Sequence, residues 1–199
     1  MFTNELNNRN FLIFLKESKI NPNLSLNNLS GEGRLDLVCR VISTTFFLSN
    51  SFRNDTNLFL FFQSESILII LYGNRLRNLN PDERSIAGYL KKVFRSISGT
   101  NKFNQKFDSG YSWQYFSFKD LPIYFHSGFI LDMEGENFDQ IEKNEILRQI
   151  FVLGDHIGLN DNDKSFLSNF KRISLGEVEL HASACITIIH HLIDSKSSN

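Results

Sequence analysis

Short, compact apolar runs alternate along this chain with segments whose apolar residues recur at helical spacing, and few folds accommodate that order. Apolar runs of this length are typical of buried strands. They lie at residues 11–15, 58–62, 67–72, 150–153 and 172–175. The helical spacing is clearest in residues 35–49 and 182–193. Strands that alternate with helices predict an α/β fold whose sheet contains parallel pairs of strands.

The segments between these elements predict smaller helices, short strands and loops. The expected helices run from Pro81, placed in the first helical turn, to about Ser96, then within 139–149, and over 161–170. The expected short strands are 116–118 and 123–126, and the expected exposed loops are 16–33 and 98–110. No internal repeat or domain boundary is visible, so a single domain over residues 1–199 is predicted.

Charge and cysteine content narrow the class of protein. The net charge of −1 gives no support to an RNA partner, so an RNA-binding surface requires local clustering of Lys and Arg. Cys39 and Cys185 lie outside any Cys-x-x-Cys pair, which argues against a zinc site and favours free thiols in the cytoplasm. Residues 1–10 lack the apolar core of a signal peptide, and no apolar run is long enough to span a membrane.

Two segments near the C-terminus share a strand that stops at a glycine. Residues 151–158 contain such a stop at Gly154, and residues 173–177 contain another at Gly176. Ligands of α/β sheets bind beyond the carboxyl ends of strands, where glycine lets them approach the backbone. One such turn is more often an ordinary strand-to-loop glycine. Two of them followed by an apolar helix favour a ligand pocket without naming the ligand.

Five motifs in chain order resemble those of the archaeal tRNA pseudouridine N1-methyltransferases, the TrmY family. They are Gly33–Arg40, Asn80–Ser85, Val152–Leu159, Arg172–Gly176 and Glu179–His190. The resemblance covers about Asn10 to Ser195, and five ordered motifs are far more specific than any one of them. The chain departs from the family at Ala184, where many relatives carry histidine, and at Gly176 and Glu177, where others often have Ser or Pro.

The resemblance implies a fold, a cofactor and an assembly. The fold is of the SPOUT class, a Rossmann-like parallel sheet whose C-terminal part, about residues 120–195, threads a trefoil knot and binds S-adenosylmethionine. Members are usually homodimers and need no metal. The cofactor contacts carried over to this chain are Phe125, Gly154, Leu175, Gly176, Glu177, Val178, Glu179, Leu180 and Cys185.

Arg34 and Asp36 have two readings. Taken alone, they are an exposed arginine and an acid that complements the dipole of a helix N-terminus. By resemblance they are the catalytic, substrate-facing pair, in which Arg34 holds phosphate or base and Asp36 accepts a proton from N1 of the pseudouridine. Cys185 is expected to form pocket wall rather than act as a nucleophile, since N1 itself attacks the methyl group.

Histidines and basic residues leave alternatives open. His156 either pins the loop after its strand or takes part in catalysis, and His181 is undecided. His190 and His191 lie late in the last helix, where a surface position or an interaction with the C-terminal helix dipole is favoured over metal binding. The predicted RNA-binding residues are Arg40, Arg53, Arg75, Arg77 and Arg84, in or near a region rich in Lys and Arg. The alternative is a solvated helix face.

The predicted activity is S-adenosylmethionine-dependent methylation of N1 of pseudouridine 54 in the T loop of tRNA. A flipped-out base is expected to enter beside the cofactor. One alternative is methylation of ribosomal RNA, as in the related Nep1 family. Another is a catalytically silent RNA-binding dimer, which only Ala184 favours.

Overall fold

The computed structural model describes residues 6–99, 105–107 and 110–197 of the chain. These residues form eight strands and six α-helices. The strands are β1 (Arg9–Leu15), β2 (Thr56–Phe62), β3 (Ile67–Tyr72), β4 (Gln105–Phe107), β5 (Tyr111–Tyr115), β6 (Gly128–Asn137), β7 (Ile150–Gly154) and β8 (Lys171–Ser174). The helices are α1 (Leu35–Phe46), α2 (Glu83–Ser98), α3 (Leu121–Tyr124), α4 (Lys143–Ile146), α5 (Asp161–Ser165) and α6 (Ala182–Ser197).

All eight strands belong to one mixed sheet, in the order β4-β5-β3-β2-β1-β7-β6-β8. The five neighbouring strands β2, β1, β7, β6 and β8 run parallel to one another, which confirms the prediction of parallel pairs. The strand β3 is antiparallel to both of its neighbours, β2 and β5, and β4 is antiparallel to β5. The expected parallel sheet is therefore a mixed sheet. The tight turn between β2 and β3 causes this reversal, because a four-residue connection can join only antiparallel neighbours.

Alternating side chains of the strands build one core on each face of the sheet. On the first face, Phe11, Ile13 and Leu15 of β1 pack in the cluster that includes the apolar sides of α1, α2 and α6. On the second face, Leu12 and Phe14 pack in a cluster rich in phenylalanine, where short helical segments supply the cover. The helix α6 follows the edge strand β8 yet packs on α1, so the chain returns across the sheet.

Several local predictions were wrong. Residues 116–118 and 123–126 do not form strands, because β5 ends at Tyr115 and residues 118–124 form a 3-10 turn followed by α3. The strand β6 was missed because its apolar start gives way to a polar, acidic half that lacks strand propensity. Within the predicted loop 98–110 the structure places β4, while residues 100–104 and 108–109 lie outside the described residues.

The helix α2 begins two residues later than predicted, at Glu83 instead of Pro81. Asp82 is the N-cap, and its carboxylate accepts the backbone N–H of Ser85 at 2.8 Å. Pro81 therefore precedes the cap instead of occupying the first helical turn.

A polar cluster, with Arg9 and His190 buried and Asp194 partly exposed, joins α6 to β1. Arg9 and Arg53 both donate to the carboxylate of Asp194, at 2.5 and 2.7 Å. His190 is 3 % exposed. Its Nδ1 is hydrogen-bonded to Arg9 and its Nε2 to the carbonyl of Thr45, each at 3.1 Å. The prediction of a surface position is therefore wrong for His190, although His191 is exposed. Burial, with the nearby positive charges of Arg53 and Arg9, lowers the pKa of His190 to about 3.

The described residues include no helix with the length and apolar character needed to cross a membrane.

Candidate functional site

The carboxyl ends of β6, β7 and β8 surround a cavity of about 590 Å³, hereafter the glycine-loop cavity. That volume lies within the range of small-molecule and cofactor pockets. Its apolar walls are formed by Leu131, Leu153, Leu159, Ile173, Leu175, Val178 and Leu180, and its glycines are Gly154, Gly158 and Gly176. Parallel strands therefore place the two glycine turns predicted from the sequence on one cavity.

Gly154 allows the chain to turn back tightly at the end of β7. A Cβ atom at this position would lie 2.6 Å from the Cα of Gly158 and 2.9 Å from the backbone nitrogen of Leu159. Only a glycine lets the loop after β7 lie against the strand in this way. Gly176 has a φ of +126° and a Cβ there would meet nothing within 4 Å, so its need for glycine comes from the backbone conformation.

An acid from the unpredicted strand β6 forms one side of this cavity. The carboxylate of Asp132 accepts a hydrogen bond from Nζ of Lys164 at 2.8 Å and lies 3.6 Å from Nη1 of Arg172. Burial opposes ionisation of this side chain, but Lys164, the backbone N–H of Glu134 and the charge of Arg172 together outweigh it, so the pKa of Asp132 is lowered. Glu134, Asp161 and Glu179 add further acids to the lining.

These groups fit S-adenosylmethionine, the cofactor that the resemblance implies. Apolar walls next to exposed backbone at the glycine turns suit an adenine ring, and surrounding carboxylates suit a ligand that carries a sulfonium and an ammonium. The thiol of Cys185 lines the same wall and contacts the carbonyl of Leu180 at 3.7 Å. Burial raises the pKa of Cys185 to about 11, so its thiol is protonated at neutral pH and is a poor nucleophile.

The structure brings together most of the predicted cofactor residues. Those that line the glycine-loop cavity are Gly154, Leu175, Gly176, Val178, Glu179, Leu180 and Cys185. Glu177 is exposed on the same loop and is not part of the lining. Phe125 is 3 % exposed and packs edge-on against Phe59 in the core of the second face, also away from the lining. The sequence missed the cavity residues of β6, whose apolar run 129–131 was the available signal.

A second cavity, of about 340 Å³, adjoins the first and is hereafter the Arg34 cavity. The two share Asp155, Gly158, Glu179, Leu180 and Ala182 in their linings. Apolar residues of β1, β2 and α1 form its floor. Arg34, His156 and His181 lie among its polar residues. A ligand in this cavity would therefore sit directly beside a ligand in the glycine-loop cavity.

Arg34 and Asp36 form a bidentate pair at the start of α1. Nε and Nη2 of Arg34 donate to the two carboxylate oxygens of Asp36 at 3.0 and 3.1 Å. The backbone of Arg34 is left-handed, with φ 62°, and directly follows Gly33 with φ 70°. The hydrogen bonds from Arg34 lower the pKa of Asp36 despite its partial burial. Asp36 is therefore a weaker proton acceptor than the sequence suggested.

His156 and Asp155 fasten the loop after β7 to the segment after β1. Nε2 of His156 lies 3.0 Å from a carboxylate oxygen of Glu17. The carboxylate of Asp155 accepts the backbone N–H of Lys16 at 2.7 Å and that of Ile157 at 2.9 Å. The structural reading of His156 is thus observed, and the ring also lines the Arg34 cavity.

The predicted RNA-binding arginines occupy different environments. Arg40 on α1 is exposed, and Arg75 lies over the ring of Tyr72 with its guanidinium carbon 5.0 Å from the ring centroid. Arg77 donates to the carbonyl of Leu76 at 2.7 Å, and Arg84 donates to Asn27 at 3.3 Å. Arg53 differs from these, because its guanidinium is engaged by Asp194 in the polar cluster.

Comparisons with known proteins agree in one family. The family model of SAM-dependent RNA methyltransferases matches residues 8–198. A tRNA (pseudouridine(54)-N(1))-methyltransferase of Methanocaldococcus jannaschii is 33% identical, with 94% of this chain and 97% of the relative covered. One from Methanosarcina acetivorans is 31% identical, with 94% and 90% covered.

A solved structure supports the same fold. The crystal structure of Archaeoglobus fulgidus Nep1 bound to S-adenosylhomocysteine superposes with a TM-score of 0.66. The match covers 98% of this chain and all of the other, at 11% sequence identity, so it bears on the fold alone. The family match over nearly the whole chain is decisive, and the protein belongs to the family of SAM-dependent RNA methyltransferases.

Proposed function

We propose that this protein transfers the methyl group of S-adenosylmethionine to N1 of pseudouridine 54 in the T loop of tRNA. The observation that carries the proposal is the pair of adjoining cavities, which share the wall from Glu179 to Ala182. One suits the cofactor and the other offers Arg34 beside it. The relatives that match along almost the whole chain bear the name of this activity.

The cofactor would be held by the loop Leu175–Leu180, by Gly154 and by Cys185. Its sulfonium supplies an activated methyl group, and attack by N1 then needs mainly correct positioning. The apolar lining would exclude water from the reacting centre, while the carboxylates of Asp132 and Glu179 would face a cationic ligand. Phe125 would act indirectly, since its ring supports the sheet from the opposite face.

Arg34 would bind the target nucleotide, through its phosphate or its base. Asp36 would position that guanidinium, because both carboxylate oxygens of Asp36 already accept hydrogen bonds from Arg34. In this proposal Arg34 binds the nucleotide and Asp36 positions Arg34, so Asp36 is not the residue that accepts the N1 proton. The pseudouridine would be flipped out of the tRNA loop to reach the cavity, as bases must for chemistry on ring atoms.

The tRNA backbone would lie along the exposed basic residues Arg40, Arg75, Arg77 and Arg84. Their charges are available at the surface although the protein as a whole is nearly neutral. Arg53 is less suited to this role because Asp194 already neutralises it. Activity on tRNA also places the protein in the cytoplasm.

We extend the proposal to the topology and assembly of the molecule. Residues from about 120 to 195 would form the trefoil knot of the SPOUT class, within a single domain over 1–199. The return of the chain from the edge strand β8 to α6 on α1 supports this. A homodimer would cover the exposed apolar side chains Ile157, Val178 and Leu180 around the cavities. Light scattering at working concentration should give twice the monomer mass, and a monomer would refute the dimer.

A methylation assay with three RNA substrates tests the activity. The protein is incubated with labelled S-adenosylmethionine and with unmodified tRNA, pseudouridylated tRNA or small-subunit ribosomal RNA. We expect label only in the pseudouridylated tRNA, mapped to position 54 as N1-methylpseudouridine. Label in ribosomal RNA alone would favour the Nep1-like alternative. Binding of RNA without binding of the cofactor would identify a silent RNA-binding protein.

A further inference from the structure

Methylation at N1 of pseudouridine requires that the N1 proton leave, and two of the carboxylates near Arg34 are already engaged. Asp36 accepts two hydrogen bonds from Arg34. Asp155 lines both cavities, but its oxygens accept the backbone N–H groups of Lys16 and Ile157. A proton acceptor must therefore be sought elsewhere in the lining of the Arg34 cavity.

His156 has the geometry of a general base with an orienting partner. Its Nε2 is 3.0 Å from Oε2 of Glu17, which holds the ring in one orientation. Its Nδ1 has no hydrogen-bond partner among the residues that the structure describes. The ring lines the same cavity as Arg34, so a base bound by Arg34 would lie beside it. A histidine oriented by a carboxylate is the recurring arrangement for proton abstraction in enzymes.

Charged groups from several segments face this histidine. They are Glu17 after β1, Arg34 before α1, Asp155 on its own loop, and Glu179 and His181 before α6. Of these groups, Glu17 is the one that hydrogen-bonds the imidazole ring of His156.

Resting on the function proposed above, we propose that His156 is the catalytic base of the reaction and Glu17 its positioning residue. The bond between N1 and its proton breaks, and the proton binds Nδ1 of His156 while Nε2–H donates to Glu17. The electron pair left on N1 forms the bond to the methyl carbon, and the electrons of the breaking carbon–sulfur bond remain on sulfur. The products are N1-methylpseudouridine, S-adenosylhomocysteine and a proton that passes from His156 to solvent.

The test compares pH–rate profiles of His156→Gln, Glu17→Gln and wild type on pseudouridylated tRNA under single-turnover conditions. His156→Gln should lower the rate at neutral pH by about 100-fold or more. It should also abolish the fall in rate that wild type shows as protonation removes the base at low pH. Glu17→Gln should lower the rate by a smaller factor, and added imidazole should restore part of the rate of His156→Ala. The matched control is His126→Gln, an exposed histidine outside both cavities, which should behave as wild type.

Failures of the two proposals have different signatures. A wild-type protein that does not methylate pseudouridylated tRNA defeats the proposed function itself. If wild type is active and His156→Gln keeps its rate and its pH profile, His156 is not the base. If His156→Gln loses cofactor binding in a thermal-shift titration, the residue holds the loop and the proposal is overturned.

Discussion

Asp36 and Arg34 are two residues apart and joined by two parallel hydrogen bonds of 3.0 and 3.1 Å, so neither side chain acts alone. The left-handed backbone at Gly33 and Arg34 makes this approach possible, since it turns the arginine back toward the first turn of α1. The pair presents a fixed guanidinium to the Arg34 cavity. A carboxylate bound in this way keeps its negative charge, which suits positioning better than proton transfer.

Asp36→Asn should slow methyl transfer while cofactor binding stays intact. The amide keeps the shape of the carboxylate but loses the ionic hydrogen bonds, so Arg34 is no longer fixed. Because the role is positioning, the rate should stay low as the pH is raised. A rate that recovers at high pH would instead identify Asp36 as the proton acceptor. The measurements are single-turnover rates between pH 6 and 10 and a calorimetric titration with S-adenosylmethionine.

Gly154→Ala should weaken cofactor binding and lower the melting temperature. The added Cβ would lie 2.6 Å from the Cα of Gly158, so the loop after β7 must move and the glycine-loop cavity must change shape. Gly88→Ala is the matched control, since its Cβ would meet nothing within 4 Å and Gly88 lies outside both cavities. Equal thermal shifts with S-adenosylmethionine for both variants would contradict this placement of the pocket.

The stability of the fold should depend on the neutral state of His190. Its folded-state pKa of about 3 lies below the ordinary value of 6.5, so the unfolded chain binds the proton first as the pH falls. The stabilisation is thus present above pH 6.5 and is lost progressively toward pH 3, on the order of a few kcal/mol. In denaturant titrations, His190→Gln should be less stable than wild type at pH 7 but less sensitive to pH across that window. An unchanged pH dependence would be inconsistent with a buried neutral imidazole.

Arg40 and Arg53 should separate RNA binding from stability. Arg40→Gln removes an exposed charge and should reduce the slope of log affinity for tRNA against log salt concentration by about 1. Arg53→Gln breaks the pair with Asp194 and should lower the melting temperature with little change in that slope. Filter binding across a salt series and thermal melts measure the two effects. The reverse pattern would place Arg53 on the RNA surface.

The amino-acid sequence by itself determined the elements whose signal is local. The apolar run of β1, the hairpin β2–β3 and the spacing in α1 and α6 can each be read within a few residues, and the structure confirms them. The same holds for the glycine stops after β7 and β8, which the structure places on the lining of one cavity. Ordered motifs along the chain also identified the family, which the comparisons confirm.

Only the tertiary structure decided which distant residues meet. Glu17 reaches His156 across 139 positions, and Arg9 meets His190 across 181. The strand β6 is a strand because it pairs with β7 and β8, since its own acidic half has no strand preference. His190 is likewise buried because α6 packs with this residue against Arg9 and Phe11 of β1. These outcomes depend on the order of the strands in the sheet. Sequence periodicity cannot give that order, because it shows which face of an element is apolar but not which other element packs against that face.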